Sequence, residues 1–122
     1  MKGVLGLGVD IVDVRMMAGI IKGKAGKSFI KKTFTSKEIA YAKGSAQTLA
    51  AIFAAKEAAF KAFGTGWLNG NLVEVAHGRN GAPSLKLHGK METLAKKMKI
   101  KRALVSLSYT ESSAIAAVIL SE

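Results

Sequence analysis

Apolar and polar positions alternate from Val4 to Val14. Leu5, Leu7, Val9 and Ile11 share one face while Gly6, Gly8 and Asp10 share the other, which predicts a strand. The next stretch, rich in lysine and punctuated by glycine, predicts one broken helix from about Asp13 to Phe34. Thr35-Ser36-Lys37-Glu38 is a capping box: a hydroxyl, then a carboxylate three residues later, satisfy free helix-end amides. It opens a short helix toward Lys43. Leu49–Phe63 is the longest helical pattern, with no internal glycine or proline and with Gly64 at the expected stop. A loop from Gly64 to Gly70 follows. Asn71–His77 and Pro83–His88 alternate around Gly78-Arg79-Asn80-Gly81, a hairpin pattern. Lys90–Lys99 predicts a short amphipathic helix, and Leu104–Tyr109 with Ala114–Leu120 a final strand pair. The expected fold is α+β: one domain over residues 1–122, a mostly antiparallel sheet packed around one long buried helix.

Composition narrows the class. A chain of 122 residues, 49% of them hydrophobic, can bury a core. Without cysteine it has neither disulfides nor thiolate chemistry. No signal-peptide layout precedes Gly8, and no apolar run nears the roughly 18–20 residues a bilayer requires. A soluble cytoplasmic protein with no membrane partner is expected. Charge changes the picture more. Nineteen Lys and Arg against eight Asp and Glu give a formal net charge of +11. Eight of the bases (Arg15, Lys22, Lys24, Lys27, Lys31, Lys32, Lys37, Lys43) lie between Arg15 and Lys43 against one acid, Glu38. Such a field favours an acidic partner of some kind, be it nucleic acid, polyphosphate or protein. A merely solvated lysine-rich surface is the alternative.

Two carboxylates stand in apolar elements. Leu49–Phe63 is apolar almost all round, which predicts burial on every side, yet it carries Lys56, Glu57 and Lys61. Buried charge is usually paired, metal-bound or part of a site. Glu57 and Lys61, four apart, share a face; a plain helical ion pair is the competing reading. Asp10 interrupts an aliphatic strand, and the glycines before it on its face leave room for a backbone or a ligand to approach. A turn aspartate is the alternative there. Mg²⁺ commonly takes one or two carboxylates and completes its shell with water and phosphate oxygens. The Gly64-Thr65-Gly66 loop beside Lys61 offers amides and a cation to a pyrophosphate, although a helix C-terminus gives an anion no dipole assistance. Gly6-x-Gly8 is no dinucleotide loop, because Ile11 stands where its third glycine belongs. His77 and His88 have no partner at ligand spacing, and Trp67 reads as packing. Ser106 and Ser108 alternate on one strand face, exposed or able to meet phosphate.

These residues also resemble a family. Gly6-Leu7-Gly8-Val9-Asp10-Ile11-Val12 is similar to the N-terminal motif of holo-acyl-carrier-protein synthases. Phe53-Ala54-Ala55-Lys56-Glu57-Ala58 with Lys61-Ala62-Phe63-Gly64-Thr65-Gly66 resembles their central signature. Asn80-Gly81-Ala82-Pro83 and Val105-Ser106-Leu107-Ser108-Tyr109 resemble two later motifs. The resemblance implies transfer of 4′-phosphopantetheine from coenzyme A to a serine of an acidic acyl carrier protein, releasing 3′,5′-ADP. It implies a homotrimer with active sites between subunits. Asp10 and Glu57 would hold Mg²⁺, and Asp10, Glu57 and Lys61 would form the catalytic group, Glu57 being the candidate base. Coenzyme A contacts are implied at Lys56, Lys61, Gly64, Thr65, Gly66, Pro83, Ser106, Ser108 and Tyr109. The carrier would dock on Arg15, Lys22, Lys24, Lys27, Lys31 and Lys32.

Two departures stand out. The family commonly has arginine at the position of Ile52 and histidine at that of Tyr109. Neither replacement carries positive charge at neutral pH. Activity with weaker or altered coenzyme A binding is expected. Two rivals make different demands. A basic nucleic-acid-binding protein needs exposed aromatics among its bases, where Arg15–Lys43 offers only Phe29, Phe34 and Tyr41, and it leaves Asp10 and Glu57 unexplained. Nucleic acid is therefore not the expected partner. A weakened relative that binds carrier without turnover rests only on Ile52 and Tyr109.

Overall fold

The structure, a computed structural model, describes residues 3–122. Strand β1 (Val4–Asp13) runs into helix α1 (Val14–Lys22), whose N-terminus is capped by Asp13 accepting from the amides of Arg15 and Met16 at 2.8 and 3.1 Å. The expected broken helix divides at Gly23, and α2 spans Gly26–Thr33. Helix α3 (Ser36–Ala42) starts at the capping box, with Thr35 and Glu38 each bonded to the other's backbone. Helix α4 (Ala46–Phe63) begins three residues before the apolar run because the Ser45 hydroxyl accepts from the Thr48 amide at 3.1 Å. It ends where Gly64 takes a left-handed φ of 78°.

A short 3-10 turn (Gly70–Leu72) leads into β2 (Val73–His77) and β3 (Pro83–Leu87), followed by α5 (Lys90–Lys97), β4 (Arg102–Tyr109) and β5 (Ser113–Ser121). The strands form two antiparallel sheets instead of one: three strands ordered β1-β5-β4, and the β2-β3 hairpin. In the larger sheet Gly8 pairs with Val118 and Asp10 with Ala116, while Val105 and Leu107 oppose the same two β5 residues from β4.

Helix α4 lies on the face carrying Gly6, Gly8, Asp10, Ala116 and Val118. The glycines let the strand backbone reach the helix backbone. A Cβ placed on Gly8 would stand 2.8 Å from the Ala62 nitrogen and closer still to the Ala58 carbonyl oxygen. Alanines supply the helix side of this contact: Ala58 and Ala62, both buried, stand opposite the two glycines. The aliphatic row of β1 therefore points away from the helix. Leu7 and Ile11 are 62% and 68% exposed, beside Leu104, Ile115 and Ile119. Among the described residues no helix is long and apolar enough to cross a membrane.

Candidate active site

Helix α4 is not sealed all round. Phe53, Glu57, Lys61 and Gly64 fall on one narrow stripe that stays partly open, while beyond the first turn every other position of the helix is buried. The expectation of a helix without a wet face is thereby corrected, and the competing reading, an ion pair within the helix, gives way to a pairing with β1. The Lys61 side chain is 52% exposed, and its Nζ reaches across to β1, donating to Asp10 Oδ1 at 2.8 Å and to the Val9 carbonyl at 3.1 Å. The bond to Asp10 raises the Lys61 pKa, so the ammonium stays charged.

Among the described residues the Glu57 carboxylate has no hydrogen-bond donor. Burial pushes its pKa up, the negative charge of Asp10 adds to this, and Lys61 opposes both. Two carboxylates close enough to repel, with one lysine between them, make a pocket short of positive charge. No group of three or more His, Cys, Asp or Glu converges there or elsewhere among the described residues. A cation at Asp10 and Glu57 would thus take two protein ligands and leave the rest of its shell to water and substrate oxygens. That donor set fits Mg²⁺, a hard ion content with few carboxylates. Next along the stripe, Gly64 and Gly66 both have positive φ, 78° and 70°, and the Thr65 hydroxyl turns back onto the Gly66 carbonyl at 2.7 Å. The loop leaves α4 directly beside Lys61.

Lys56 does not belong to this group, which corrects its expected contact with coenzyme A. Its side chain is fully buried, and Nζ spends its three donors on Glu38 Oε1 at 2.7 Å and on the Gly70 and Val73 carbonyls at 2.6 Å each. Nothing remains for a ligand. Burial lowers its pKa, while Glu38 raises it. The buried charge expected on this helix is real, but it sits at Lys56, one residue from the site.

The remaining candidates lie elsewhere on the same chain. Ser106 and Ser108 face outward from the sheet, aligned with Ala117 and Ile115 and on the opposite side from Asp10. Tyr109 turns inward and borders a cavity of about 190 Å³ with Tyr41, Thr48, Ile52, His77 and Gly81. There Tyr41 and His77 stack with centroids 3.8 Å apart and planes 3° from parallel. Burial lowers the His77 pKa, so this wall is uncharged at neutral pH. Pro83 opens β3 opposite His77. The chain thus brings together Asp10, Glu57, Lys61 and the glycine loop, and places Ser106, Ser108, Tyr109 and Pro83 apart from them.

Arg15, Lys22, Lys24, Lys27 and Lys31 are all exposed, along α1, α2 and the turn between them. Sequence reading missed what lies among them. Met16 is 58% exposed and Ile20 is also open, four residues apart on the outer face of α1. It also missed the groove of about 350 Å³ walled by Phe29, Phe53 and Trp67, with Lys32, Thr33 and Glu57 at its edge. The spacing of Phe53 and Glu57 was the available signal.

Residues 6–118 match the family described as the 4′-phosphopantetheinyl transferase superfamily. The holo-[acyl-carrier-protein] synthase of Solibacter usitatus (strain Ellin6076) is 41% identical over 123 residues, covering 96% of this chain and 98% of that protein. The crystal structure of the holo-[acyl-carrier-protein] synthase from Neisseria meningitidis superposes with a TM-score of 0.89 at 28% identity, over 98% of this chain and 100% of that one. The Helicobacter pylori synthase, solved in complex with coenzyme A, gives 0.85 at 25% identity, over 93% and 98% of the two chains.

Proposed function

This chain belongs to the 4′-phosphopantetheinyl transferase superfamily, and on that premise we propose that it is a holo-acyl-carrier-protein synthase. It transfers 4′-phosphopantetheine from coenzyme A to a serine of an apo acyl carrier protein and releases 3′,5′-ADP. The observation that carries this reading is the single open stripe of α4, where Glu57 and Lys61 meet Asp10 from β1 and the Gly64–Gly66 loop continues from the helix end.

Each group has a task in the transfer. Asp10 and Glu57 would hold Mg²⁺, which when bound supplies positive charge to the diphosphate and the leaving phosphate. Lys61 grips the same diphosphate, and the loop amides around Thr65 orient it. The serine oxygen attacks the β-phosphorus and the bond from that phosphorus to the bridging oxygen breaks. The electron pair leaves with 3′,5′-ADP. Glu57 is the candidate base for the serine proton. Exposed bases on α1 and α2, with Met16 and Ile20 between them, receive the acidic carrier.

The working form is a homotrimer with active sites between subunits. The open aliphatic face of the larger sheet supports this, since a contiguous apolar patch of that kind marks an interface. The separation of Ser106, Ser108 and Tyr109 from Asp10 and Lys61 supports it too, because a neighbouring subunit can bring the second group to the first. Intact mass of an apo carrier protein after incubation with this protein, coenzyme A and Mg²⁺ tests the reading. A gain of one phosphopantetheine, abolished by EDTA and by Glu57→Gln, is expected. An unmodified carrier, where a Neisseria meningitidis synthase modifies the same sample, would refute it.

A further inference from the structure

Lys56 and Glu38 form an ion pair from which water is excluded on both sides. Removing such a pair from water is costly, and apolar side chains of equal size are often as stable. Its value must therefore be sought in what it fixes. Glu38 Oε1 accepts from the Thr35 amide at 2.9 Å as well as from Lys56, and Oε2 accepts from the Val75 amide at 2.7 Å. Lys56 adds the Gly70 and Val73 carbonyls. One pair of charges thus ties four pieces of chain: the start of α3, the middle of α4, the residue that ends the glycine loop, and strand β2.

The loop end is the significant one. From Gly64 to Asn69 the chain is largely exposed, and its near end is set by the α4 cap. Its far end, Gly70, is buried against the Thr33 backbone, with no room for a Cβ, and its carbonyl is held by Lys56. Lys56 is the helix neighbour of Glu57, so the carboxylate and the far loop anchor spring from adjacent residues of one rigid helix. We propose that Lys56 is a positioning residue: through the Gly70 and Val73 carbonyls it fixes the Gly64–Asn69 loop relative to Glu57, and so sets where the coenzyme A diphosphate lies. The role in the reaction rests on the transferase reading above, while the anchoring of the loop does not.

The test is the double variant Glu38→Gln with Lys56→Met, which leaves no buried charge unpaired. Two quantities are read: KM for coenzyme A against kcat, and hydrogen exchange of the loop amides from Gly64 to Gly70. Loss of the anchor should raise KM on the order of tenfold, with a smaller change in kcat, and speed loop exchange by a similar factor while the amides of β5 stay protected. A purely structural role would move the urea midpoint and leave KM and local exchange at the wild-type values; that outcome overturns the proposal. Should the double variant not fold, Glu38→Asp shortens the pair without removing charge, and it must show the same two changes in smaller measure or the proposal fails. Exchange needs no substrate. If the wild-type protein transfers nothing, unchanged loop exchange still overturns the anchor, and faster exchange supports it independently of the functional reading.

Discussion

Substituting Gly8 by alanine should damage both stability and the active site, although it adds only a methyl group. Its Cβ would lie 2.8 Å from the Ala62 nitrogen, against an ordinary contact of 3.4 Å, and nearer again to the Ala58 carbonyl oxygen. The nitrogen alone demands a separation of 0.6 Å and the nearer carbonyl oxygen more than that, and neither neighbour is a side chain able to swing aside. Overpacking of this kind costs about 1–3 kcal/mol, and contact between two backbones belongs at the upper end. With a urea m-value of about 2 kcal/mol/M, the unfolding midpoint falls by about 1–1.5 M. Asp10 is two residues further along β1 on the same face, so it moves away from Glu57 and Lys61. A displacement approaching 1 Å costs on the order of 10–100-fold in transfer rate. Urea unfolding at one protomer concentration, together with carrier modification, measures both effects. Gly19→Ala is the control: it lies in the interior of α1, nothing stands within 4 Å of its added Cβ, and it should gain about 0.5–1 kcal/mol. If Gly8→Ala matches Gly19→Ala in midpoint, the backbone contact between β1 and α4 is wrong.

Ile11→Lys and Leu7→Glu place charge on the open sheet face; light scattering should report folded monomers, with transfer activity lost, and a persisting trimer would exclude this face as the interface. Glu57→Gln should make the metal-free protein more stable at neutral pH. A carboxyl whose pKa is raised by folding costs stability once pH exceeds its ordinary 4.5, and the full cost is felt above its folded value. Mg²⁺ should raise the thermal midpoint of the wild type at pH 7 and leave that of Glu57→Gln in place; equal shifts in both would remove Glu57 from the metal. Reversing Arg15 and Lys27 to glutamate should raise KM for the carrier severalfold and flatten its salt dependence, with KM for coenzyme A unchanged. A change in coenzyme A affinity instead would show that these bases do not serve the carrier.

Most element boundaries were legible because each has a local cause written in the sequence. Thr35 and Glu38 satisfy one another's amides, Gly64 stops α4, and the Gly78–Gly81 turn closes the hairpin whatever surrounds them. Asp10, Glu57 and Lys61 were legible as charges in apolar company. Lys56 and Lys61 show where local reading stops. Both are lysines on the same helix, five positions apart, yet one is sealed and the other open. Five residues of an α-helix turn about 500°, which places the two side chains on different sides. Which side is covered depends on Glu38 and the Gly70–Val73 carbonyls, supplied by chain well before and well after the helix. Periodicity within α4 contains no record of them. The same limit applied to the division into two sheets, since the hairpin's edges are a matter of tertiary arrangement.

The layout of the larger sheet bears on the proposal that a complete site draws on more than one chain. Side chains of a strand alternate between faces, so Asp10, set against α4, leaves Val9 and Ile11 facing outward. Across β5 the register puts Ser106 and Ser108 in the rows of Val9 and Ile11, hence on the outer face. No side-chain rotation carries a serine through the sheet to Asp10. If the serines and the Asp10–Lys61 group serve one coenzyme A molecule, they must come from different protomers. The exposed aliphatic residues share the serines' face, so the contact that buries them is also the one that delivers the serines to a neighbour. Oligomerisation and site assembly are then a single event, and variants that break the sheet face should lose activity in proportion to the trimer they lose.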